Sequence, residues 1–183
     1  YVPQFTNKIA YLNWYYDMSG VSGSDLPYMF LFSDVLGKMN TRDFTYQDLS
    51  TFTNMYTGGI SFQIVTYMLQ DDVNKYSIRF NVGGKVLEEK LDKLFKIMEN
   101  VALTTDFTNK QRLREIIVET KTDWDNQFFA RGLTVASSRL ASYFAPASRI
   151  AEQDQLSYYQ FLQKLTSNLE TELPKVITKL QEL

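Results

Sequence analysis

The chain of 183 residues contains no cysteine and no histidine. Without cysteine it can form neither disulfide bonds nor thiol-based sites, which fits a reducing compartment. Without either residue it lacks the nitrogen and sulfur ligands from which tetrahedral zinc sites are usually built. It also lacks the imidazole that most often serves as the base beside a serine nucleophile. These absences exclude the commonest metal-dependent and serine-dependent active sites from this chain.

Long apolar runs and an excess of charge are missing as well. No run approaches the roughly 20 apolar residues that a membrane span needs. The net charge of −2 provides no basic surface that would track phosphates. Apolar residues make up 44% and charged residues 22%, which is typical of a globular domain. We predict one domain that binds neither nucleic acid nor membrane.

The two ends of the sequence also lack terminal signals. It begins Tyr-Val-Pro-Gln-Phe, with neither an initiator methionine nor a signal peptide. It ends at Lys179–Leu183, inside a pattern typical of a helix. We expect one domain taken from a longer protein.

What the chain has in excess is aromatic residues, at 15% of the sequence. Aromatic side chains bury large areas, so we expect most of them in the core. Tyrosine-rich faces can also line a chamber or a seam between domains, where the hydroxyl stays in water. For any single aromatic ring of this chain we therefore favour a position in the core over one at an interface.

Hydrophobic patterns predict a strand, two helices and a hairpin in the first half. Residues Lys8 to Asp17 have apolar side chains on both faces, which predicts a central strand covered on both sides. A serine- and glycine-rich loop, Ser19 to Ser24, follows. Asp25 is the expected cap of the first helix, and Pro27 lies in its first turn. The expected apolar face of this helix comprises Met29, Phe30, Phe32, Val35, Leu36 and Met39.

The second helix is expected to begin at Thr45, with Asp48 completing a start signal, and to end at Gly58-Gly59. Because the chain then turns directly into a strand, we predict a positive φ at one of these glycines at least. The strand Ile60 to Leu69 and the alternating segment Tyr76 to Val82 predict an antiparallel hairpin. Gly83-Gly84 is expected to end the sheet.

The second half reads as a series of helices. An amphipathic helix is predicted from Lys85, with Leu87, Leu91, Leu94, Phe95, Met98 and Val101 on its apolar face. Thr108 or Asn109 is the expected cap of the next helix, and Gly132 an expected break. Further helices are predicted over Leu133–Phe144, ended by Pro146, and over Gln155–Leu165 and Leu173–Leu180, with Pro174 near the first turn of the last. The predicted fold class is α+β, a layer of helices on an antiparallel or mixed sheet.

Three other patterns invite a functional interpretation. Glu88, Glu89 and Asp92 form an acidic cluster, but interspersed lysines and the lack of a turn glycine favour a solvated helix face over a cation site. Ser137 and Ser138 have no histidine partner and no nearby lysine base, so a nucleophilic serine is disfavoured. The glycine pairs lack the further glycines and the Lys/Ser/Thr residues of a phosphate-binding loop.

Two blocks of short motifs, together spanning Ile9 to Leu165, resemble a known family. The first block reads Leu-Gly-Lys-x-x-Thr, then Tyr-x-x-Leu, then Tyr-Thr-Gly-Gly-Ile-Ser, over residues 36–61. The second reads Ser-Ser-Arg-Leu-Ala over 137–141, Glu-Gln at 152–153 and Leu-Ser-Tyr-Tyr-x-Phe-Leu over 156–162. Both are similar to the presequence-protease branch of the pitrilysin/insulinase family of zinc metallopeptidases.

The resemblance implies a particular domain of a larger enzyme. Members of the branch carry four related α+β domains, paired into two halves that enclose a peptide chamber. The first domain bears an inverted zinc motif, His-x-x-Glu-His, and the third repeats the fold without it. This chain resembles the third, so residues 1–183 are expected to be a single noncatalytic metallopeptidase-like domain. One or two further strands, near Gly132 or in the loops after it, are implied as well.

The zinc motif has no counterpart in this sequence. Against His-x-x-Glu-His, Leu31 and Val35 stand where the histidines would be, and Asp34 stands where the glutamate would be. We therefore predict no catalytic, cofactor-binding or metal-binding residues in this chain, and expect zinc in the first domain of the parent protein. Asp34 is interpreted as a polar position on a helix surface or a structural hydrogen-bond acceptor.

Two functions remain open. The first is a structural, chamber-forming domain of a zinc-dependent metalloendopeptidase that degrades peptides, with the other domains of the same polypeptide as partners and peptides as the parent enzyme's substrates. The alternative is a noncatalytic peptide-binding or scaffold domain of the same fold. A self-sufficient hydrolase using paired carboxylates is disfavoured. We expect a cytoplasmic location, with an organellar matrix as the alternative. We also expect an exposed apolar patch at Phe128-Phe129 and Tyr158-Tyr159.

Overall fold

Three segments of the chain form a three-stranded antiparallel sheet. In the computed structural model, which describes residues 5–183, the strands are β1 (Ile9–Asp17), β2 (Ile60–Leu69) and β3 (Asp72–Leu87). Their order is β1-β3-β2, so that β3 is central and pairs antiparallel with both neighbours. The predicted hairpin and the α+β class are confirmed.

The prediction that β1 is a central strand is wrong. It lies at an edge, with Leu12 and Trp14 packed on the core and Tyr11 and Tyr15 exposed on the other face. A tyrosine ring can cover a sheet while its hydroxyl stays in water, so a run that is apolar on both sides does not require two-sided burial.

The prediction that Gly83-Gly84 ends the sheet is also wrong, since β3 continues to Leu87. A Cβ on Gly83 would lie 2.8 Å from Ser61 Oγ, and one on Gly84 would lie 2.8 Å from Leu94 Cδ1. These glycines therefore allow close packing inside a strand instead of stopping it. For the same reason the helix predicted from Lys85 begins later: Glu88–Lys90 form a single 3-10 turn and α3 spans Leu91–Thr104.

The two early helices begin where their sequence signals predict. Helix α1 spans Leu26–Val35 and α2 spans Tyr46–Tyr56. Thr45 Oγ1 accepts a hydrogen bond of 3.1 Å from the Asp48 backbone N–H, as a capping residue should. Asp25 occupies the N-cap position of α1, but its carboxylate accepts from Ser22 Oγ and pairs with Lys179 Nζ instead of capping the helix.

The turn from α2 into β2 confirms the prediction about its glycines. Gly59 has φ +115°, and the Gly58 N–H donates to the Lys85 carbonyl at 2.8 Å. A Cβ on Gly59 would meet nothing within 4 Å, so its backbone angle alone demands glycine. At Gly58 the neighbour a Cβ would meet is the Lys85 side chain, at 2.7 Å.

Five further helices complete the chain. Helix α4 spans Lys110–Ala130, and Asn109 Oδ1 caps it by accepting from the Arg112 N–H at 3.1 Å. The others are α5 (Gly132–Ala141), α6 (Pro146–Glu152), α7 (Tyr158–Ser167) and α8 (Leu169–Glu182). A widened turn, Gln153–Ser157, joins α6 to α7, with Gln155 outside helical backbone angles.

Four expectations for this half need correction. Pro146 begins a helix in addition to ending a segment, because proline fits the first helical turn. Helix α8 starts before Leu173, which places Pro174 inside it. The widened turn occupies the start of the helix predicted from Gln155. Within residues 5–183 no strand lies near Gly132, where α5 begins, and the sheet has three strands.

Helix α1 lies at the centre of the core. It contacts β2 on one side and α4, α7 and α8 on others. Together with α3 and the segment after α1, these elements contribute core side chains that are 1% exposed or less, among them Leu31, Val35, Met39, Leu94, Ile97, Met98, Leu113, Ile116, Ile117, Leu162 and Val176. Among the described residues no helix combines the length and apolarity needed to cross a membrane.

Candidate functional site

The part of α1 that the resemblance aligns with a zinc motif belongs to the hydrophobic core. Leu31 and Val35 are fully buried. Each side chain consists only of hydrocarbon groups, and burial of this kind contributes about 1.5–3 kcal/mol per side chain relative to exposure. The two positions therefore stabilise the fold and present no ligand atom.

Asp34, the third aligned position, is held by a hydrogen bond from the core. Tyr158 Oη donates to Asp34 Oδ2 at 2.6 Å. Tyr158 is 1% exposed, and its ring packs against those of Phe30 and Trp124. Burial raises the pKa of the Asp34 carboxyl, while the bond from Tyr158 and the charge of Lys38 oppose that rise. Asp34 is thus a structural hydrogen-bond acceptor, one of the two roles expected for it.

A second carboxyl stands close to Asp34. The widened turn carries Asp154, whose pKa is raised to about 7 by burial of its carboxyl and by the negative charge of Asp34. Asp154 as a whole residue is exposed, so solvent screens part of this effect. The same surroundings, burial first and the charge of Asp34 second, raise the pKa of Tyr158 well above its usual value.

This group of two carboxyls and a phenol is poorly suited to catalysis. A general base has to reach its substrate, whereas Asp34 already accepts a short bond from a buried ring. Within residues 5–183 no three Asp, Glu, His or Cys side chains are arranged to hold a metal ion. The arrangement ties α1 to α7, and its chemistry is that of a buried polar contact.

The other sequence candidates are separate from this group. Glu88 and Glu89 are exposed in the 3-10 turn, and Asp92 pairs with Lys93 at 2.8 Å, as on a solvated helix face. Ser137 and Ser138 lie on α5, the first exposed and the second half-buried. The structure does not bring these residues together with Asp34.

None of the described side chains of the predicted aromatic patch is exposed. Tyr158 is buried, contrary to expectation, because α7 packs it against α1 and α4. Phe128 and Tyr159 are half-buried and stack on each other with ring centroids 4.6 Å apart. Tyr159 Oη donates to Asp125 Oδ1 at 2.9 Å. The Phe129 side chain lies outside the described residues.

A groove that sequence patterns do not reveal runs beside the buried contact. It lies between the C-terminal end of α1, α2 and the start of β2, and has a volume of 360 Å³. Asp34 and Lys38 contribute charge, and Ser50, Thr53 and Asn54 contribute polar groups. Gly37, at φ +78°, turns the chain away from α1 and brings Phe62 within 3.4 Å of the position a Cβ would take. Residues of α1, α2, β2 and α3, from Ser33 to Val101, line this groove, so no single local pattern marks it.

The sheet presents tyrosines on the face opposite the core. Tyr11, Tyr15 and Tyr67 are 50–63% exposed, and the rings of Tyr15 and Tyr67 meet edge to face. Tyr15 lies opposite Asn81 of the central strand, which is buried and donates to Asn13 Oδ1 at 3.3 Å. The outer face of the sheet therefore combines exposed aromatic rings with polar side chains.

The fold is that of an α+β domain with α1 buried in its core, and comparison with known proteins supplies its class. A sequence profile described as peptidase-associated, for subfamily C of metallopeptidase family 16, matches residues 1–165. The chain therefore belongs to this peptidase-associated family, and the resemblance to the presequence-protease branch of zinc metallopeptidases is confirmed.

Individual relatives agree with this assignment. "Protein HypA" of Clostridium perfringens is 30% identical over 86% of this chain. "Presequence protease 1, chloroplastic/mitochondrial" of Arabidopsis thaliana is 27% identical over 98%, and "Presequence protease, mitochondrial" of Yarrowia lipolytica is 26% identical over 97%. The matched regions make up 16%, 17% and 18% of those proteins. This chain thus spans less than a fifth of their length.

Proposed function

We propose that this chain is a noncatalytic, chamber-forming domain of a zinc-dependent metalloendopeptidase that degrades peptides. The observation that carries the proposal is the burial of Leu31 and Val35 in a chain of this family. Where the catalytic domain of the family carries zinc ligands, α1 carries core side chains. Membership of the family supports the link to a peptidase, and the length of the relatives supports a larger parent polypeptide.

The residues of this chain do not fit a catalytic zinc ion. It has no histidine or cysteine, and Asp34 is held by Tyr158. Zinc is therefore assigned to another domain of the parent, and the other domains of the polypeptide are its partners. The tyrosine face of the sheet is suited to line a chamber, because its rings provide apolar contact while their hydroxyls stay in water. The names of the plant and yeast relatives favour an organellar matrix over the cytoplasm.

Metal analysis and a cleavage assay test this proposal. After dialysis the isolated chain should hold no stoichiometric zinc and should leave unfolded peptides intact. The protein from the complete reading frame should carry an upstream His-x-x-Glu-His, cleave the same peptides and lose activity with a chelator. In that protein Asp34→Asn should leave cleavage unchanged. One zinc per isolated chain, or cleavage by the chain that Asp34→Asn abolishes, would contradict the proposal.

A noncatalytic peptide-binding domain is the second candidate. Strand β2 contains no charged residue and no proline, and among residues 5–183 no strand pairs with its outer edge. Such edges accept extended peptides as an added strand, and the groove of 360 Å³ begins at the same strand. Titration of the isolated chain with an unfolded peptide, followed by NMR, separates the two candidates. Shifts confined to residues 60–69 with a micromolar dissociation constant favour peptide binding; no saturation at about 1 mM favours a purely structural role.

A further inference from the structure

Helix α5 and the turn after it expose an unusual number of apolar side chains. Leu133 is 83% exposed, Leu140 61%, Tyr143 68% and Phe144 79%. Leu133 and Leu140 are two helical turns apart, and backbone bonds to Leu140 and Ala141 continue the helical path to Tyr143 and Phe144. The opposite side of the segment packs inward through the buried Val135 and Ser142. Clustered exposure of this kind marks interaction sites.

The same segment is the basic part of an acidic chain. Between Asp125 and Glu152 the sequence has three arginines and no acidic residue. Arg139 is paired with Glu152, but Arg131 and Arg149 are exposed and form no ion pair with another described residue. We define the α5 surface as Arg131, Leu133, Leu140, Tyr143, Phe144 and Arg149.

We propose that the α5 surface docks a neighbouring domain of the same polypeptide through a patch in which apolar side chains are flanked by carboxylates. The proposal rests on the proposed function, since it requires a longer chain. The relatives, more than five times as long as the regions they share with this chain, leave ample polypeptide for such a patch. The arginines of the α5 surface favour carboxylates on the partner, and its exposed apolar side chains favour an apolar centre in the partner's patch.

Other occupants fit less well. Basic segments that bind anionic membranes typically carry about 4–8 lysines and arginines, and the α5 surface has two unpaired arginines. A symmetric dimer would place the same patch on both subunits and bring like charges together. A patch of opposite sign avoids both difficulties.

Hydroxyl-radical footprinting of the isolated chain and of the protein from the complete reading frame tests the docking. Oxidation of Tyr143 and Phe144 should fall at least about fivefold in the complete protein, because a packed interface excludes water. Phe144→Glu should restore oxidation of Tyr143, since it places a carboxylate opposite carboxylates. Leu103→Glu is the matched control: Leu103 is 76% exposed on α3, away from α5, and its replacement should not restore labelling.

The outcomes separate this proposal from the one on which it rests. If the complete protein cleaves peptides with zinc but oxidises Tyr143 as fast as the isolated chain does, the docking is refuted and the proposed function stands. If oxidation falls in a protein without zinc-dependent cleavage, the docking stands and the peptidase assignment fails. Protection of Tyr143 in the isolated chain by self-association, or by vesicles of phosphatidylcholine with phosphatidylserine, would refute the docking in favour of those occupants.

Discussion

The first and second halves of the chain satisfy their polar groups by different means. In residues 5–104 the contacts that begin and end the early elements are short in sequence: Thr45 caps α2 through Asp48, and Gly59 turns the chain between α2 and β2. The buried Asn81 of this half bonds a neutral residue, Asn13, on the neighbouring strand. In residues 105–183 buried charge is handled by partners on other elements. Glu152, 1% exposed, pairs with Arg139 of α5, and Tyr158 donates to Asp34, 124 positions away.

This difference shows where each half is vulnerable. A capping or turn residue acts on one segment, and its loss costs about 1 kcal/mol. A buried carboxylate that loses its partner is left uncompensated inside the protein, which costs more. Substitutions that remove the partner of a buried charge in residues 105–183, the helical half, should therefore destabilise the protein more. Substitutions of capping or turn residues in residues 5–104, the sheet half, should destabilise it less.

The largest effect is expected for Arg139→Met. Arg139 Nη1 lies 3.2 Å from Glu152 Oε1, a buried atom that receives no hydrogen bond of good geometry from the described residues. Removal of the guanidinium leaves that oxygen without compensation, and we expect the free energy of unfolding in urea to fall by about 3 kcal/mol. The double variant Arg139→Met with Glu152→Gln should recover much of the loss.

Arg114→Met provides the matched control for this prediction. Arg114 pairs with Glu170 at 2.9 Å, but both side chains are more than half exposed, so its loss should cost less than about 0.5 kcal/mol. Equal effects of the two arginine substitutions would contradict the distinction between the halves.

Tyr158→Phe should have the next largest effect. It removes one oxygen and leaves Asp34 half-buried without its donor, so we expect a loss of about 2 kcal/mol. Because the lost bond opposed the effect of burial, the pKa of Asp34 should rise further, and the loss should be larger at pH 8 than at pH 5. Adding Asp34→Asn should reduce this pH dependence. A loss independent of pH and of residue 34 would mean that ring packing alone is affected.

Sequence patterns predicted the sheet half better than the helical half. The bounds of β2, the Thr45 cap and the positive φ at a glycine follow from residues adjacent in sequence. The edge position of β1 does not, because strand order depends on the distant β3. The Tyr158–Asp34 contact and the α5 surface depend on how helices pack. In α1 the burial of Met29, Phe30 and Val35 was predicted from their helical spacing, whereas the predicted apolar face did not include the buried Leu26 and Leu31.

Gly59→Ala sharpens the comparison from the sheet half. Its φ of +115° is unfavourable for a residue with a Cβ although space is available, so we expect a loss of about 1 kcal/mol. Gly132→Ala is the control: no atom would meet its Cβ, its φ is not positive, and it lies in the first turn of α5. That change should raise stability by about 0.4–1 kcal/mol. Equal melting temperatures for the two variants would refute the role assigned to the backbone angle.

The smallest effect concerns Asp154 and the response of stability to pH. Its pKa is raised to about 7 by burial first and by Asp34 second, whereas an unfolded aspartate has its pKa near 4. Between these values the folded state binds a proton that the unfolded state does not. Stability should therefore decline as pH rises from about 4 to 7. The stabilisation that the proton bound to Asp154 provides should be fully present only below about pH 4.

Asp154→Asn should flatten this decline without changing stability at pH 4, because the amide stays neutral throughout. Carboxyls whose pKa is lowered, among them Asp125 beside Lys121, act in the opposite sense and at lower pH. Asp34, whose pKa is also raised by burial, adds to the decline in parent and variant alike. Since Asp154 is exposed as a residue, we expect the slope to be shallow. Urea unfolding of parent and variant at half-unit steps from pH 4 to 8 measures it, with Asp71→Asn, exposed in the turn between β2 and β3, as the control. Parallel curves of stability against pH for parent and Asp154→Asn would show that a group other than Asp154 binds the proton.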